Sequence, residues 1–242
     1  MKCFSLIIIA SCIFINCNTA QNKPANLPQE KHYTYRTKTP DGIGKYYQGR
    51  EIAHMMEPVG IDWLNRTERD AEENVTMAID SMKLQPGMVI ADIGAGSGYY
   101  SFRMAKKIGR GKVYAVEVQD EMIDALKNEK QKLQDSIVEV VKGDSIKVNL
   151  PGSSVDLAIM VDVYHELEYP HEILQSIKKA LKPGGKILLV EYRGEDPSIP
   201  IKPLHKMTVT QANKEMSANG FTLHHKGDFL PVQHFLMYEI AK

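Results

Sequence analysis

Cysteine is confined to one end of this chain. Cys3, Cys12 and Cys17 are the only three, and no thiol follows residue 17. The body therefore cannot build a disulfide framework or a cysteine-ligated zinc framework. No charge sign dominates either. Thirty lysines and arginines balance thirty aspartates and glutamates, so an extended polyanion such as nucleic acid is not the expected partner. The apolar stretch from Phe4 to Ile15 is also short: 12 residues, against the roughly 20 that a membrane-spanning helix needs.

That stretch follows Lys2 and gives way to a polar, proline-dotted segment, which is the arrangement of a secretory signal over 1–17. Cys17 stands at the apolar-to-polar switch, like the lipidation site of a bacterial lipoprotein. Asn16 before it departs from the usual small residue, and Cys12 after Ile-Ala-Ser is a rival site. The expectation is an exported, membrane-anchored lipoprotein on the periplasmic side, touching the membrane only through this signal or its lipid. The alternative is a cytoplasmic protein whose first segment is not a signal.

With 43% hydrophobic residues, the rest of the chain can bury a core. Residues 18–40 read as a flexible tether. Tyr46, Tyr47, Ile52, Met55, Met56 and Trp63 make 41–66 a packed cap segment. From Thr67 the spacing of Ala71, Val75, Ala78, Ile79 and Met82 predicts a helix, ended by Pro86-Gly87. Strand-like runs follow at 88–93, 112–118, 136–141, 155–161 and 186–192, with helical patterns between most of them. This is an α/β fold, a Rossmann-like doubly wound sheet that is mostly parallel. Two last strands, FTLHHKG and HFLMYEIAK, are separated by only DFLPVQ. That is too short for a helical crossover, so they should form an antiparallel C-terminal hairpin.

The first of these strands ends in VIADIGAGSGYYS, with Asp92 followed by Gly94, Gly96 and Gly98. Glycines after a strand let backbone approach a ligand closely, and the next helix presents free N–H groups. NAD, FAD and other nucleosides would all suit such a turn. Three acids narrow the choice. Glu117, ending the second strand, can accept from both hydroxyls of a ribose. Asp144, after the third, can accept from an adenine amine. Asp92 would compete with a pyrophosphate for the same donors, but it tolerates a ligand with a cationic centre and an ammonium group. S-adenosyl-L-methionine supplies every one of these groups.

These residues resemble those of the class I S-adenosylmethionine-dependent methyltransferases. D-I-G-A-G-S-G at 92–98 matches the family's first motif, with Glu117 as the ribose acid, GDS at 143–145 as the adenine turn and LKPGGKILLVEY at 181–192 leading into the fifth strand. The similarity spans 67–242 and is closest to the small-molecule branch that includes quinone-biosynthesis methyltransferases. It implies a methyltransferase domain over 67–242. It also implies a cofactor site made of Asp92, Gly94, Ala95, Gly96, Gly98, Glu117, Val118, Asp144, Ser145 and Asp162, and a small-molecule substrate.

Methyl transfer is an in-line displacement on an activated cofactor, so alignment and exclusion of water carry much of the catalysis. MVDVYHELEYP at 160–170 supplies the catalytic candidates. His165 could act as a base and Asp162 could orient it or contact the methionine ammonium, although a histidine here can equally well just pack and hydrogen-bond. Asp162, His165, Glu166 and Glu191 lack the spacing of a known metal motif, and no metal is expected. Two segments could build the substrate side: Arg193, Lys202, His205 and Lys206 after the fifth strand, and Tyr46, Tyr47, Arg50 and His54 in the cap. The competing readings are a catalytically silent nucleoside-binding protein, which export would favour, and a nicotinamide-dependent oxidoreductase.

Overall fold

The computed structural model describes residues 30–242. The signal at 1–17, the choice between Cys12 and Cys17, and the first part of the tether lie outside the described residues. Among the described residues no helix is long and apolar enough to cross a membrane.

The tether expectation is corrected at its C-terminal end. Strand β1 (Tyr33–Tyr35) pairs antiparallel with β2 (Gly42–Tyr47), which pairs with β3 (Arg50–Ala53). Tyr33, Tyr47 and Ile52 form a small core of their own. Polar composition suggested a free linker, but Tyr33 is buried and its hydroxyl donates to Glu172. Lys45 lies over the rings of Tyr33 and Tyr169, its Nζ 4.2 and 3.1 Å from their centroids. Burial lowers its pKa to about 8.

Short helices α1 (Ile61–Leu64), α2 (Arg69–Glu73) and α3 (Val75–Ser81) follow. The single helix predicted from Thr67 is broken at Asn74, which sits at φ 56° and caps α3 by accepting from Met77 N at 3.3 Å. Asparagine tolerates the left-handed region because its side chain bonds locally.

The rest is the doubly wound sheet. Its strands are β4 (Val89–Ile93), β5 (Lys112–Glu117), β6 (Val138–Lys142), β7 (Val155–Val161), β8 (Leu181–Tyr192), β9 (Phe221–Gly227) and β10 (Gln233–Ile240). The spatial order is β6-β5-β4-β7-β8-β10-β9. The first five strands run parallel, and β10 inserts antiparallel between β8 and β9. Alternate side chains feed two cores. Ile90, Leu188 and Val190 pack under helices α4 (Tyr99–Ile108) and α5 (Asp120–Leu133). Ala91, Ile93, Ile187 and Leu189 pack under α6 (Pro170–Ala180) and α7 (Val209–Ala218). Burial on both faces explains the continuous apolar strands.

The chain winds from β4 out to β6 on one side, then restarts at β7 on the other. The carboxyl ends of β4 and β7 therefore flank the point where strand order reverses, which is where open α/β sheets hold ligands.

Candidate active site

A cavity of about 1160 Å³ opens at that point. Asp92, Gly94, Ala95, Gly96, Glu117, Val118, Asp144, Ser145, Asp162 and His165 all line it. Gly98 stands just behind this lining, at the start of the helix that follows the turn. Gly98 starts α4 at φ 84°, where a Cβ would lie 2.5 Å from Phe102 Cε2 and 2.7 Å from Leu126 Cδ2. Its role is helix docking. Gly98→Ala should cost about 2–4 kcal/mol, from left-handed strain plus overpacking, and lower the urea midpoint.

Gly94 does face the cavity, at φ 70°, and a Cβ there would meet Val163 Cγ1 at 2.6 Å. Only glycine leaves that cradle open. Buried Glu117 organises the turn: Oε2 accepts from Gly96 N at 2.9 Å, and Oε1 accepts from Val118 N at 2.6 Å and Gln119 N at 3.0 Å. Three backbone N–H groups thus tie that carboxylate to the loops, while the side chain still borders the cavity. Asp144 stands exposed at the rim, its carboxylate accepting from Ile146 N at 2.8 Å.

Asp92 is buried and accepts from Ser101 Oγ at 2.6 Å. Burial raises its pKa to about 6. Asp162 occupies the left-handed region at φ 51°, and its Oδ2 accepts from Gln233 Nε2 at 2.6 Å. Its Oδ1 is buried without a partner. Desolvation, then the nearby Glu73 and Glu191 carboxylates, hold it well above the usual carboxylate range. An unpaired buried oxygen on a cavity wall is what a positively charged donor would satisfy.

Behind Asp162 lies a network that local sequence reveals only in part. Glu73 is wholly buried and accepts from Arg69 Nε at 2.9 Å, Arg66 Nη2 at 2.7 Å and Tyr192 Oη at 2.9 Å. Arg69 and Tyr192 also line the cavity. Arg69 stands one helical turn before Glu73 on α2, a spacing the sequence does contain, whereas Tyr192 comes from β8 and no local pattern links it to them.

His165 is not free to act as a base. Its Nδ1 lies 2.7 Å from Glu191 Oε2 and its Nε2 lies 3.1 Å from His205 Nδ1. His205 Nε2 is in turn 3.3 Å from Asp41 Oδ2, and Asp41 Oδ1 is 2.7 Å from Lys202 Nζ. Burial would lower the pKa of His165, but the Glu191 carboxylate outweighs it and the net shift is upward. The metal-competent grouping among the described residues is His165, Glu166 and His205, with ligand atoms all within 4.8 Å of one another. Asp162 and Glu191 are outside it.

The substrate-side expectations divide. In the cap only His54 of the four named residues borders the cavity; Ile43, Lys45 and Ala53 do so instead. The segment is a sheet rather than a helix, so Tyr47 turns onto Tyr33 and its hydroxyl meets Asn219. Arg50 pairs with buried Glu215 at 2.8 Å. Among the later cations Lys202 and His205 reach the cavity, while Arg193 and Lys206 donate to backbone carbonyls. Met55, Met56, Val59, Trp63 and Leu64 give the wall an apolar stretch, beside the polar Glu57, Ser97, Gln119, Lys147 and Glu168.

Comparison with known proteins agrees with this geometry. The family model Methyltransf_11, described as a methyltransferase domain, matches residues 91–189. A protein-L-isoaspartate O-methyltransferase of Pyrococcus horikoshii is 29% identical over 140 residues, covering 58% of this chain and 60% of that protein. A ubiquinone/menaquinone biosynthesis C-methyltransferase (UbiE) of Laribacter hongkongensis is 27% identical over 127 residues, covering 51% and 50%. The chain thus spans about half to three-fifths of these curated relatives. A crystal structure of a SAM-dependent methyltransferase from Aquifex aeolicus superposes with a TM-score of 0.73 at 25% identity, over 77% of this chain and all of that one. The architecture is the Rossmann-like methyltransferase fold, and the cofactor that the acids call for, S-adenosylmethionine, is the one these similarities indicate.

Proposed function

We propose that this chain is an S-adenosylmethionine-dependent methyltransferase that moves a methyl group to a small, largely apolar acceptor. The observation that carries the reading is the convergence of Asp92, Glu117 and Asp162, from three successive central strands, on one cavity whose buried Asp162 Oδ1 lacks a donor. When bound, the cofactor supplies a methyl group already activated on a sulfonium.

The protein's share is positioning. Glu117 suits the ribose hydroxyls, Asp144 the adenine amine, and Asp162 with Asp92 the ammonium and the positive centre. Met55, Met56 and Trp63 supply the apolar surface that excludes water from the acceptor. The quinone-type relative supports an acceptor of similar polarity. The test is acceptor-dependent formation of S-adenosylhomocysteine by the full chain, over a panel of small apolar phenols, quinols and thiols. Turnover with any member supports the reading. Tight cofactor binding with no turnover across the panel would favour a nucleoside-binding protein instead.

Asp92 makes binding pH-dependent. A cationic ligand prefers the ionised carboxylate, whose pKa is raised to about 6 in the free protein. The share due to Asp92 should therefore be present above that value and fall as pH drops through it, by about tenfold between roughly pH 7 and 5, and the upward-shifted Asp162 should add to the decline. Calorimetry on Asp92→Asn should show weaker binding near neutrality and a shallower decline.

A further inference from the structure

His165 and His205 bring two ring nitrogens together, Nε2 of the first lying 3.1 Å from Nδ1 of the second. A neutral imidazole carries one N–H and one lone pair, and the neighbouring acceptor decides which nitrogen holds the proton. Glu191 Oε2, 2.7 Å from Nδ1 of His165, draws the proton to that nitrogen and leaves Nε2 bare. Asp41 Oδ2 lies 3.3 Å from Nε2 of His205, an ion-pair contact without hydrogen-bond geometry. With the His205 proton on Nδ1, that N–H donates to His165 Nε2 at 3.1 Å; with it on Nε2, two bare nitrogens face each other there and a cation between them would satisfy both lone pairs.

Glu166 is the third group at this point. Its Oε2 accepts from Met56 N at 2.9 Å, which leaves Oε1 for another partner. Its ligand atom and the two imidazole nitrogens all lie within 4.8 Å of one another. Two nitrogens bound to one zinc ion at about 2.05 Å with tetrahedral angles would be about 3.3 Å apart, close to the spacing seen. His165 holds the Glu191 carboxylate on its far nitrogen at 2.7 Å, the second layer that metal-bound imidazoles usually have, and Asp41 lies 3.3 Å from the far nitrogen of His205.

We propose that His165 Nε2, His205 Nδ1 and the Glu166 carboxylate form a divalent metal site of the zinc class. Two imidazoles and a carboxylate suit zinc and its neighbours in the first transition row, while the absence of thiolates at the site argues against copper(I). All three residues line the cavity, so the fourth position opens toward the acceptor.

The catalytic consequence rests on the methyltransferase reading. An acceptor hydroxyl or thiol at that fourth position releases its proton to water at a lower pH than in solution. Its freed lone pair forms the bond to the methyl carbon while the carbon–sulfur bond breaks, and that bond's electron pair remains on sulfur.

The test is metal binding and does not need turnover. Untagged full-length chain carrying Cys3→Ser, Cys12→Ser and Cys17→Ser, so that no thiol competes, is stripped with chelator. It is then titrated with Zn2+ against a chromophoric competitor. One equivalent should bind. His205→Ala and Glu166→Gln should each weaken it by about 100-fold or more, and Glu191→Gln by about 10- to 100-fold. S-adenosylhomocysteine affinity and thermal melting, measured alongside, show whether each variant is folded. Cobalt(II) in place of zinc should give the visible bands of a four- or five-coordinate ion. No stoichiometric binding by the parent chain, or equal binding by a folded His205→Ala, overturns the site and leaves the Nδ1 proton of His205 bridging the rings. Zinc binding without any S-adenosylmethionine binding would keep the site and remove the methyltransferase reading.

Discussion

Glu117→Ala should raise the dissociation constant of S-adenosylmethionine, and equally of S-adenosylhomocysteine, by about 200- to 1000-fold. In the proposed reading the carboxylate accepts from two ribose hydroxyls, and hydrogen bonds to a charged group contribute about 1.5–3 kcal/mol each. Two at the lower end, about 3–4 kcal/mol together, correspond to that range of affinity. The same side chain holds the N–H groups of Gly96, Val118 and Gln119, so the variant also loosens the turn that cradles the ligand. Both effects act in one direction. Glu117→Gln separates them: one oxygen still accepts from the loop, but the amide cannot accept from both hydroxyls, so the loss should be smaller. Titration calorimetry of the three proteins, with circular dichroism confirming their fold, measures the difference.

Glu73→Ala should be the most destabilising single change outside the hydrophobic core, at about 3–5 kcal/mol. Removing one member of a buried ion network leaves the others charged and unpaired. Here Arg69, itself 4% exposed, loses its carboxylate at 2.9 Å, and Arg66 and Tyr192 lose theirs at 2.7 and 2.9 Å. With a urea m-value of about 2–3 kcal/mol per M for a domain of this size, the midpoint should fall by roughly 1–2 M. Glu73→Gln keeps an acceptor in place and should cost less. An alanine variant within about 1 kcal/mol of wild type would show that Arg69 and Arg66 find solvent or other partners easily, and that the network does not brace the cavity wall.

The parts of the molecule that could be read from sequence are those encoded within one segment. β4, β5, β7 and β8 are largely buried on both faces, so each appears as a run, whereas edge strand β6 (VEVVK) is only partly buried. The DFLPVQ spacer was enough to fix the antiparallel pairing of β9 with β10. The turn from Asp92 to Gly98 was legible because its acid and three glycines are contiguous. Boundaries were less visible: β8 begins at Leu181, five residues before the expected 186, because Leu181 pairs with Val155 ahead of an irregularity after which Lys186 pairs with Leu157. The small sheet of β1 to β3 was hidden because its strands are short and their burial, as in Gly42–Tyr47, does not alternate cleanly. Pairing partners, not local pattern, make those strands.

The site divides along the same line. Asp92, Glu117 and Asp144 follow successive strands and could be placed by counting. His205 and Asp41 could not be linked to His165, because they meet only where the loop after β8 crosses the cap. Arg69 and Glu73 sit in a five-residue helix whose sequence alone looks like a solvated charged turn. Long-range polar networks leave no periodic trace, so they are found only once the fold brings their members together.

The central claim is that this cavity holds S-adenosylmethionine, and calorimetry on the purified full chain tests it most directly. S-adenosylmethionine and S-adenosylhomocysteine should both bind with micromolar affinity at one site per chain, while NAD gives no heat above dilution. Binding of NAD in preference to the two sulfur nucleosides, or no binding of either by a protein shown to be folded, would contradict the account.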